Sequence, residues 1–382
     1  MDVLLILGNG FDLNLGLPTA YSHFYDYYLN KPHLNSQQGS VLKQSLSEWK
    51  NNAASSIKNI INWSDLELGL GEVSLKYSMV NSYLDDFDDI SLELTNYLQI
   101  VKKLEIKNIE KIANAFIDDI LRVALLTDLD SFISDNYKKT KESVFSGYLD
   151  FKPSNEMSEF LNSTSNLSLS ALNIDVMTFN YTNTAERIFK TIQQLAFPKN
   201  KISLGKILHI HQDLGEAGIV LGVNSINQIA NEDFRSLYPI NYGIVKPNLV
   251  AEYAAGTDVE CINAISKADV IIFFGVSLGM TDSIWWKRIG NLVSGSNKRI
   301  IYCPYERKED FAYTSRAVVN KIHEYQEFLF DRFYISDSVK NDMRKKVYPV
   351  RKNQMFDFRI VEDLAKLQND NLNSVINTLL IS

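Results

Sequence analysis

The residues that follow the first apolar run combine backbone freedom with hydrogen-bonding side chains. Gly8, Asn9 and Gly10 are followed closely by Asp12. Glycines let a backbone approach a phosphate, and the N-terminus of a following helix favours anions. Asp12 would repel phosphate but could accept hydrogen bonds from ribose hydroxyls. The spacing differs from the Gly-x-Gly-x-x-Gly of dinucleotide-binding turns because Leu13 occupies the third glycine position, and a tight structural turn is the alternative.

A second polar turn contains Asn180, at the end of the apolar segment "NIDVMTFN". The asparagine amide both donates and accepts hydrogen bonds, so Asn180 could hold a water molecule or a ribose. The alternative is that Asn180 or Thr182 caps the helix that follows.

Two histidines stand two residues apart, and alternating side chains would place His209 and His211 on one side of an extended segment. Such a pair could ligate a metal. The other three histidines, at positions 23, 33 and 323, have no ligand spacing, so we expect no metal. We favour His211 as a catalytic or ribose-binding residue, since histidine can accept a proton near neutral pH, with His209 as its buried neighbour.

The strongest strand pattern of the chain, "DVIIFFGVSLG", ends in Gly275 and Ser277. A hydroxyl and free backbone amides at this point would suit a diphosphate or an adenosine. Thr281 or Asp282 is expected to cap the next helix, whose two tryptophans are better explained as core than as base-stacking residues.

One carboxylate candidate lies in a region of helical patterns. The segment "NWSDLELGLGE" contains Asp65 and Glu67, whose side chains diverge on a helix. One of them could point over the ligand edge of the sheet, and we choose Glu67.

The elements that position these residues alternate between strands and helices, which is typical of a doubly wound α/β fold. We predict a Rossmann-like parallel sheet with a large helical insertion after the first strand. Predicted strand segments lie at 3–7, 173–180, 206–211, 219–223, 269–279 and 299–303, and helices at 183–195, 257–267 and 283–294. Residues 40–165 carry apolar residues with helical spacing, so a mostly helical unit across the ligand edge is expected.

The predicted division of the chain follows from these patterns. Residues 1–30 and 170–310 form the Rossmann-like nucleotide-binding core, residues 31–169 form the helical insertion, and residues 311–382 form a helical or mixed C-terminal extension.

Composition excludes several classes of protein. The 382 residues carry a formal charge of -7, which disfavours general nucleic-acid binding. The two cysteines form no CxxC pair, which excludes a cysteine-based zinc site. No signal peptide and no apolar run of about 20 residues is evident, so we expect a soluble cytoplasmic protein without a membrane partner.

Six motifs in order carry a resemblance to a known family. The segments "ILGNGFDLNLGLPTAYSHF", "WSDLE", "TFNYTNT", "HIH", "LGV" and "FGVSLGMTDSIWW" resemble the AbiH family of bacteriophage abortive-infection proteins, from residue 3 to about residue 290. The same order is more distantly similar to the sirtuin-like (DHS-like) NAD-binding fold. Gln212 replaces a glycine of the AbiH pattern, and Val276 replaces a common histidine. The zinc cysteines of sirtuins are absent, which argues against protein deacylation.

The resemblance implies an anti-phage protein that hydrolyses NAD or a related nucleotide. It implies Asn180 and His211 as catalytic residues, and Glu67, chosen above as the inward carboxylate, is the third catalytic candidate. The implied nucleotide-binding residues are Gly8, Asn9, Gly10, Asp12, Thr178, Gly275 and Ser277. Expected partners are a small nucleotide and a phage component that acts as trigger, and a homo-oligomer is compatible with the sequence.

Two other functions stay open from the sequence. Gln212 and Val276 would suit a nucleotide-binding sensor without turnover. A metal-dependent nuclease could use Asp12, Asp65 and Glu67, although the acidic charge and the lack of a DxD cluster at the strand ends argue against it.

Overall fold

The computed structural model describes residues 1–31, 40–52, 65–137, 171–195, 202–211, 219–253, 256–305, 314–350 and 355–356. The strands are β1 (Asp2–Leu7), β2 (Leu172–Thr178), β3 (Ile202–His209), β4 (Val270–Phe274), β5 (Arg299–Cys303) and β6 (Val347–Pro349). The α-helices of the described residues are α1 (Asn9–Asn14), α2 (Tyr21–Leu29), α3 (Val41–Asn52), α4 (Leu66–Val73), α5 (Val80–Val101), α6 (Ile109–Tyr137), α7 (Thr184–Gln194), α8 (Tyr238–Gly243), α9 (Lys246–Tyr253), α10 (Thr257–Lys267), α11 (Ser283–Val293), α12 (Ser315–Arg332) and α13 (Asp337–Met343).

The six strands of the described residues all pair in parallel, in the order β3-β2-β1-β4-β5-β6. This order is that of the Rossmann type, in which the chain reverses direction across the sheet between β1 and β4. Leu5 is in register with Val176 of β2 on one side and with Ile272 of β4 on the other. The predicted parallel α/β sheet is confirmed, and its switch point lies between the carboxyl ends of β1 and β4.

Helices cover both faces of the sheet. On one face, Val3 and Leu5 pack with the apolar stripes of α6 and α7. On the other face, Leu4 and Ile6 pack with α10, α11 and α12. Burial on both sides is the reason that β1 is a continuous apolar run rather than an alternating one.

Between β1 and β2, every regular element within the described residues is a helix. Helices α2 to α5 form a separate apolar cluster with residues between 219 and 245. Helix α6 does not belong to that cluster, because Ile112, Phe116 and Ile120 pack on the sheet instead. The described helices between residues 40 and 137 therefore have two roles: α3, α4 and α5 belong to the cover, whereas α6 packs on a face of the sheet and not across its ligand edge. The predicted domain boundaries stay a prediction.

Two predicted strands need correction. Residues 219–223 do not form a strand of the sheet: Val223 makes one isolated bridge with Val245, and Leu221 and Val223 are buried in the helical cluster. An apolar run buried among helices has the same pattern as a buried strand. The third strand begins at Ile202, earlier than expected, and ends at His209.

The last strand, β6, was not predicted because it is three residues long. It pairs with β5 at the edge of the sheet, where Pro349 is tolerated.

Among the described helices, none has the length and apolar content needed to cross a membrane.

Three glycines fix the switch point by direct backbone contact. The amide of Gly10 donates to the carbonyl of Gly275 at 2.9 Å, and the amide of Gly8 donates to that of Phe274 at 3.1 Å. A Cβ atom on Gly8 would lie 2.6 Å from the Gly275 carbonyl oxygen. Gly275 has a φ of 67°, which favours glycine. The turn after β1 thus requires glycine for packing, and α1 begins directly at Asn9.

This contact predicts a large effect of one methyl group. In Gly10→Ala, the new Cβ would lie 2.6 Å from the Cα of Gly275, so we expect the free energy of unfolding to fall by roughly 1–3 kcal/mol or more. Gly243→Ala is the matched control because nothing lies within 4 Å of its Cβ position. Thermal unfolding checks the prediction, and equal melting temperatures for the two variants would contradict it.

Candidate functional site

A cavity of about 540 Å³ lies at the carboxyl ends of the central strands, under the helices that follow β1. The loops after β1, β2, β3 and β4 line one side, and α2, α4 and α5 line the other. Ligands of parallel sheets bind at the switch point, and this volume is typical of small-molecule sites.

Nine of the ten residues singled out from the sequence line this cavity. They are Gly8, Asn9, Gly10, Asp12, Glu67, Asn180, His211, Gly275 and Ser277. Thr178 is not among the lining residues: its hydroxyl accepts a hydrogen bond of 3.1 Å from the amide of Asn180 and so shapes the turn. Val276 also lines the cavity, whereas Gln212 lies outside the described residues.

Asp12 is a buried carboxylate held by threonines. The hydroxyl of Thr182 donates to Oδ2 of Asp12 at 2.6 Å, and the hydroxyl of Thr184 donates to that of Thr182 at 3.0 Å. Burial raises the pKa of Asp12 to about 6, although the hydroxyls of Thr182 and Thr184 partly oppose this. Oδ1 of Asp12 has no hydrogen-bond partner among the described residues. Thr182, expected as a helix cap, therefore orients Asp12.

Asn180 is buried with an unsatisfied amide. Neither its side-chain nitrogen nor its oxygen makes a hydrogen bond of standard geometry within the described part of the chain, although the amide is close enough to Asp12 to lower the pKa of that carboxyl. Its carbonyl oxygen lies 3.1 Å from Nδ1 of His209, whose Nε2 lies 2.6 Å from Glu186. His209 thus fixes the Asn180 turn as a partly buried neighbour. An unpartnered buried amide costs about 1–3 kcal/mol, so a bound group is the natural partner of Asn180.

His211 belongs to a buried network of charges. Lys246 donates to Oε2 of Glu67 at 2.7 Å and to Oδ1 of Asp282 at 2.8 Å. The Nε2 atom of His211 lies 2.8 Å from the same Asp282 oxygen and 3.4 Å from Nζ of Lys246. We assign the proton of neutral His211 to Nε2, which donates to Asp282. Nδ1 is then the nitrogen with a lone pair that can accept a hydrogen bond.

The electrostatics of this network follow from burial and mutual attraction. Burial disfavours the ammonium of Lys246, but Asp282 and Glu67 raise its pKa above the usual value. Burial acts against ionised Asp282 too, but Lys246 and His211 hold its pKa well below its usual range. For Glu67, burial outweighs the attraction of Lys246 and raises the pKa. Lys246 and Asp282 are therefore the charged pair, and Glu67 is the carboxylate that takes up a proton more readily.

Lys246 and Asp282 were not predicted as parts of the site. Asp282 occupies the N-cap position of α11 as expected, but its side chain makes no cap hydrogen bond because it binds Lys246 and His211 instead. Lys246 is the first residue of α9. A positive charge at a helix N-terminus is unfavourable, so the position of Lys246 indicates that a carboxylate partner compensates its charge.

Aromatic rings complete the surroundings of His211. Phe179 meets its ring edge-on at 5.6 Å between centroids, and Tyr181 lies at 5.7 Å. Trp286 packs on Phe179 at 4.8 Å and donates to the carbonyl of Gly279, as expected for a core residue. Within the described ranges, no group of three or more His, Cys, Asp or Glu side chains could hold a metal ion.

Asp65 and Glu67 both line the cavity, although only Glu67 was expected to face it. Asp65 also caps α4, because its Oδ1 accepts a hydrogen bond of 3.1 Å from the amide of Leu68. Glu67 is buried and its Oε1 has no partner among the described residues.

The raised pKa of Asp12 predicts a pH-dependent gain in stability from Asp12→Asn. Between pH 3.8 and about 6, Asp12 is protonated in the folded state but ionised in the unfolded state, so the free energy of unfolding of the wild-type protein falls as the pH rises through that interval. Above that interval, Asp12→Asn should unfold at a higher urea concentration than the wild-type protein, with a free energy of unfolding that is larger by at most about 3 kcal/mol. Asp337→Asn is the control, since that side chain is 95% exposed. A destabilised Asp12→Asn protein at about pH 7 would contradict this reading.

Removal of Lys246 should leave two buried carboxylates uncompensated. We expect Lys246→Met to lower the free energy of unfolding by about 3–5 kcal/mol, whereas Lys206→Met, at an exposed ion pair, should change it little. Adding Glu67→Gln to Lys246→Met should restore part of the loss, because one uncompensated charge is removed. Urea unfolding of the single and double variants measures this coupling. Strictly additive losses would show that the two side chains do not interact.

Comparison with known proteins places the chain in one family. A family model described as bacteriophage abortive infection AbiH matches residues 4–303. No curated protein matches the chain.

Proposed function

The chain belongs to the bacteriophage abortive infection AbiH family, and we propose that it acts on phage infection by hydrolysing NAD or a related nucleotide in the cavity. The observation that carries the proposal is the set of unpartnered buried polar atoms on Asp12, Glu67 and Asn180, which line one cavity at the switch point. A bound molecule can supply their partners, and a ribose offers hydroxyls that both donate and accept.

The proposed reaction adds water across the bond between the ribose C1′ and the nicotinamide nitrogen. The C–N bond breaks and its electron pair leaves with nicotinamide, while the water oxygen bonds to C1′ and a water proton passes to a base. Positive charge builds on the ribose ring during this step. Carboxylates placed beforehand in a water-poor cavity stabilise such a charge.

The residues divide these tasks as follows in the proposal. Asn180 holds the water or a ribose hydroxyl with its free amide, and Asp12 and Glu67 face the developing positive charge. Nδ1 of His211 takes the proton, because Asp282 holds the proton on Nε2. The backbone after β4, at Val276 and Ser277, lines the same cavity and suits the rest of the nucleotide.

A second candidate is a nucleotide-binding sensor without turnover. The observation that favours it is Val276, an apolar side chain at the cavity wall where the family pattern commonly has histidine. The sensor would bind NAD through the same residues but release no nicotinamide.

The proposal predicts that Asn180→Ala and His211→Ala each lose catalysis while they keep their fold. Purified protein is incubated with NAD, free nicotinamide is followed with and without magnesium, and thermal unfolding is measured on the same preparations. A loss of about 10²–10⁴-fold in rate is expected for each variant, since general acid–base groups contribute this much. Asn227→Ala and His323→Ala, at exposed positions, are the matched controls.

Other outcomes separate the alternatives. Tight NAD binding without nicotinamide release would favour the sensor, and magnesium-dependent cleavage of nucleic acid would favour the nuclease. Variants that melt early but keep their activity per folded molecule would show that Asn180 and His211 are structural.

A further inference from the structure

The cavity is strongly acidic on its inner surface. Its lining contains the carboxylates of Asp12, Asp65, Glu67 and Asp282, and no lysine or arginine among the described residues. Lys246 contacts Glu67 and Asp282, and its charged pair is the one with Asp282. Arg187 attracts the charge of Asp12 but makes no ion pair with it in the described part of the chain. The lining of the cavity is therefore acidic, and it attracts a positive charge through Asp12 and Asp65, and through Glu67 whenever Glu67 is ionised.

Two of these carboxylates present a free oxygen. Oδ1 of Asp12 and Oε1 of Glu67 are buried without a hydrogen-bond partner among the described residues, and both side chains are at least nine-tenths buried. An ionised carboxylate only accepts hydrogen bonds, so each free oxygen needs a donor or a cation. A phosphate group would bring further negative charge to this surface, whereas a cation would complete it.

The remaining lining is aromatic. Rings surround the cavity on both the sheet side and the cover side: Tyr21, Phe24, Tyr97, Phe179, Tyr181 and Trp286. Aromatic faces attract flat cations through their quadrupole, and the attraction grows when the cation leaves water. Acidic and aromatic linings together favour a planar positive ring.

We propose that the inner cavity selects its ligand by charge and binds the cationic pyridinium riboside of an oxidised nicotinamide nucleotide, against the neutral dihydropyridine form. The ribose hydroxyls donate to the free oxygens of Asp12 and Glu67, and the ring lies between the aromatic side chains. The inference rests on the proposed function for the choice of a nicotinamide nucleotide, but it concerns binding and needs no turnover.

The test compares two ligands of nearly equal size that differ by one hydride and therefore by one charge. Carbocyclic nicotinamide riboside cannot be hydrolysed, and its dihydro form is neutral. Calorimetry on the wild-type protein should give at least about tenfold tighter binding of the cation, equivalent to about 1.4 kcal/mol. Glu67→Gln should reduce this ratio, and Glu232→Gln, whose side chain is 82% exposed, should leave it unchanged. Asp65→Asn is a second variant at the lining should Glu67→Gln not fold.

Equal affinity for the two forms, or preference for the neutral one, would overturn the inference, as would a ratio that Glu67→Gln and Asp65→Asn both leave unchanged. The outcome is separable from that of the hydrolase proposal. Nicotinamide release from NAD without charge preference would refute the charge selection alone. Charge preference without nicotinamide release would support the charge selection and refute the hydrolase.

Discussion

The ammonium of Lys246 is buried between two carboxylates that come from distant parts of the chain. Glu67 belongs to a helix that follows β1, Asp282 precedes the helix after β4, and His211 follows β3. One side chain therefore joins the helical cover to the ligand edge of the sheet. Buried ion pairs of this kind contribute little net stability compared with apolar packing, but removing one member is costly. The arrangement is better explained by what it does to the cavity: it fixes the orientation of Glu67, Asp282 and His211 with respect to one another.

The floor of the cavity depends on a different constraint, the approach of two backbone turns. Gly8 and Gly10 lie against Gly275 so closely that a Cβ on any of the three would meet backbone atoms at 2.6 Å or less. This contact holds the carboxyl ends of β1 and β4 together at the switch point. The polar residues that follow, Asp12 on one side and Ser277 on the other, then line the same space. Between this rigid backbone contact and the ion network, buried polar atoms have no hydrogen-bond partner among the described residues. Such atoms are typical of a site prepared for a ligand.

The sequence alone was sufficient for the parts of the fold whose pattern is local. Strands β1 and β4 are uninterrupted apolar runs, and the predicted ends of these strands placed Asp12 and Ser277 at the ligand edge. Residues 219–223 have the same apolar pattern but are buried among helices. Whether such a run joins a sheet depends on the elements that pack against it, and not on its own sequence. Lys246 could not be paired in advance, because Glu67 lies 179 residues away and Asp282 lies 36 residues away. The glycines were identified correctly as special positions, but the expected reason was a nucleotide at the backbone, whereas in the structure the glycines pack on one another.

We propose that a nucleotide binds in the switch-point cavity with its positive ring inside. The decisive measurement is a crystal structure of the protein with a carbocyclic, non-hydrolysable NAD analogue. We expect the pyridinium ring among the aromatic side chains, with the ribose hydroxyls within about 3 Å of the carboxylate oxygens of Asp12 and Glu67. A ligand bound with its diphosphate against these carboxylates, or bound outside the cavity, would refute this mode of binding.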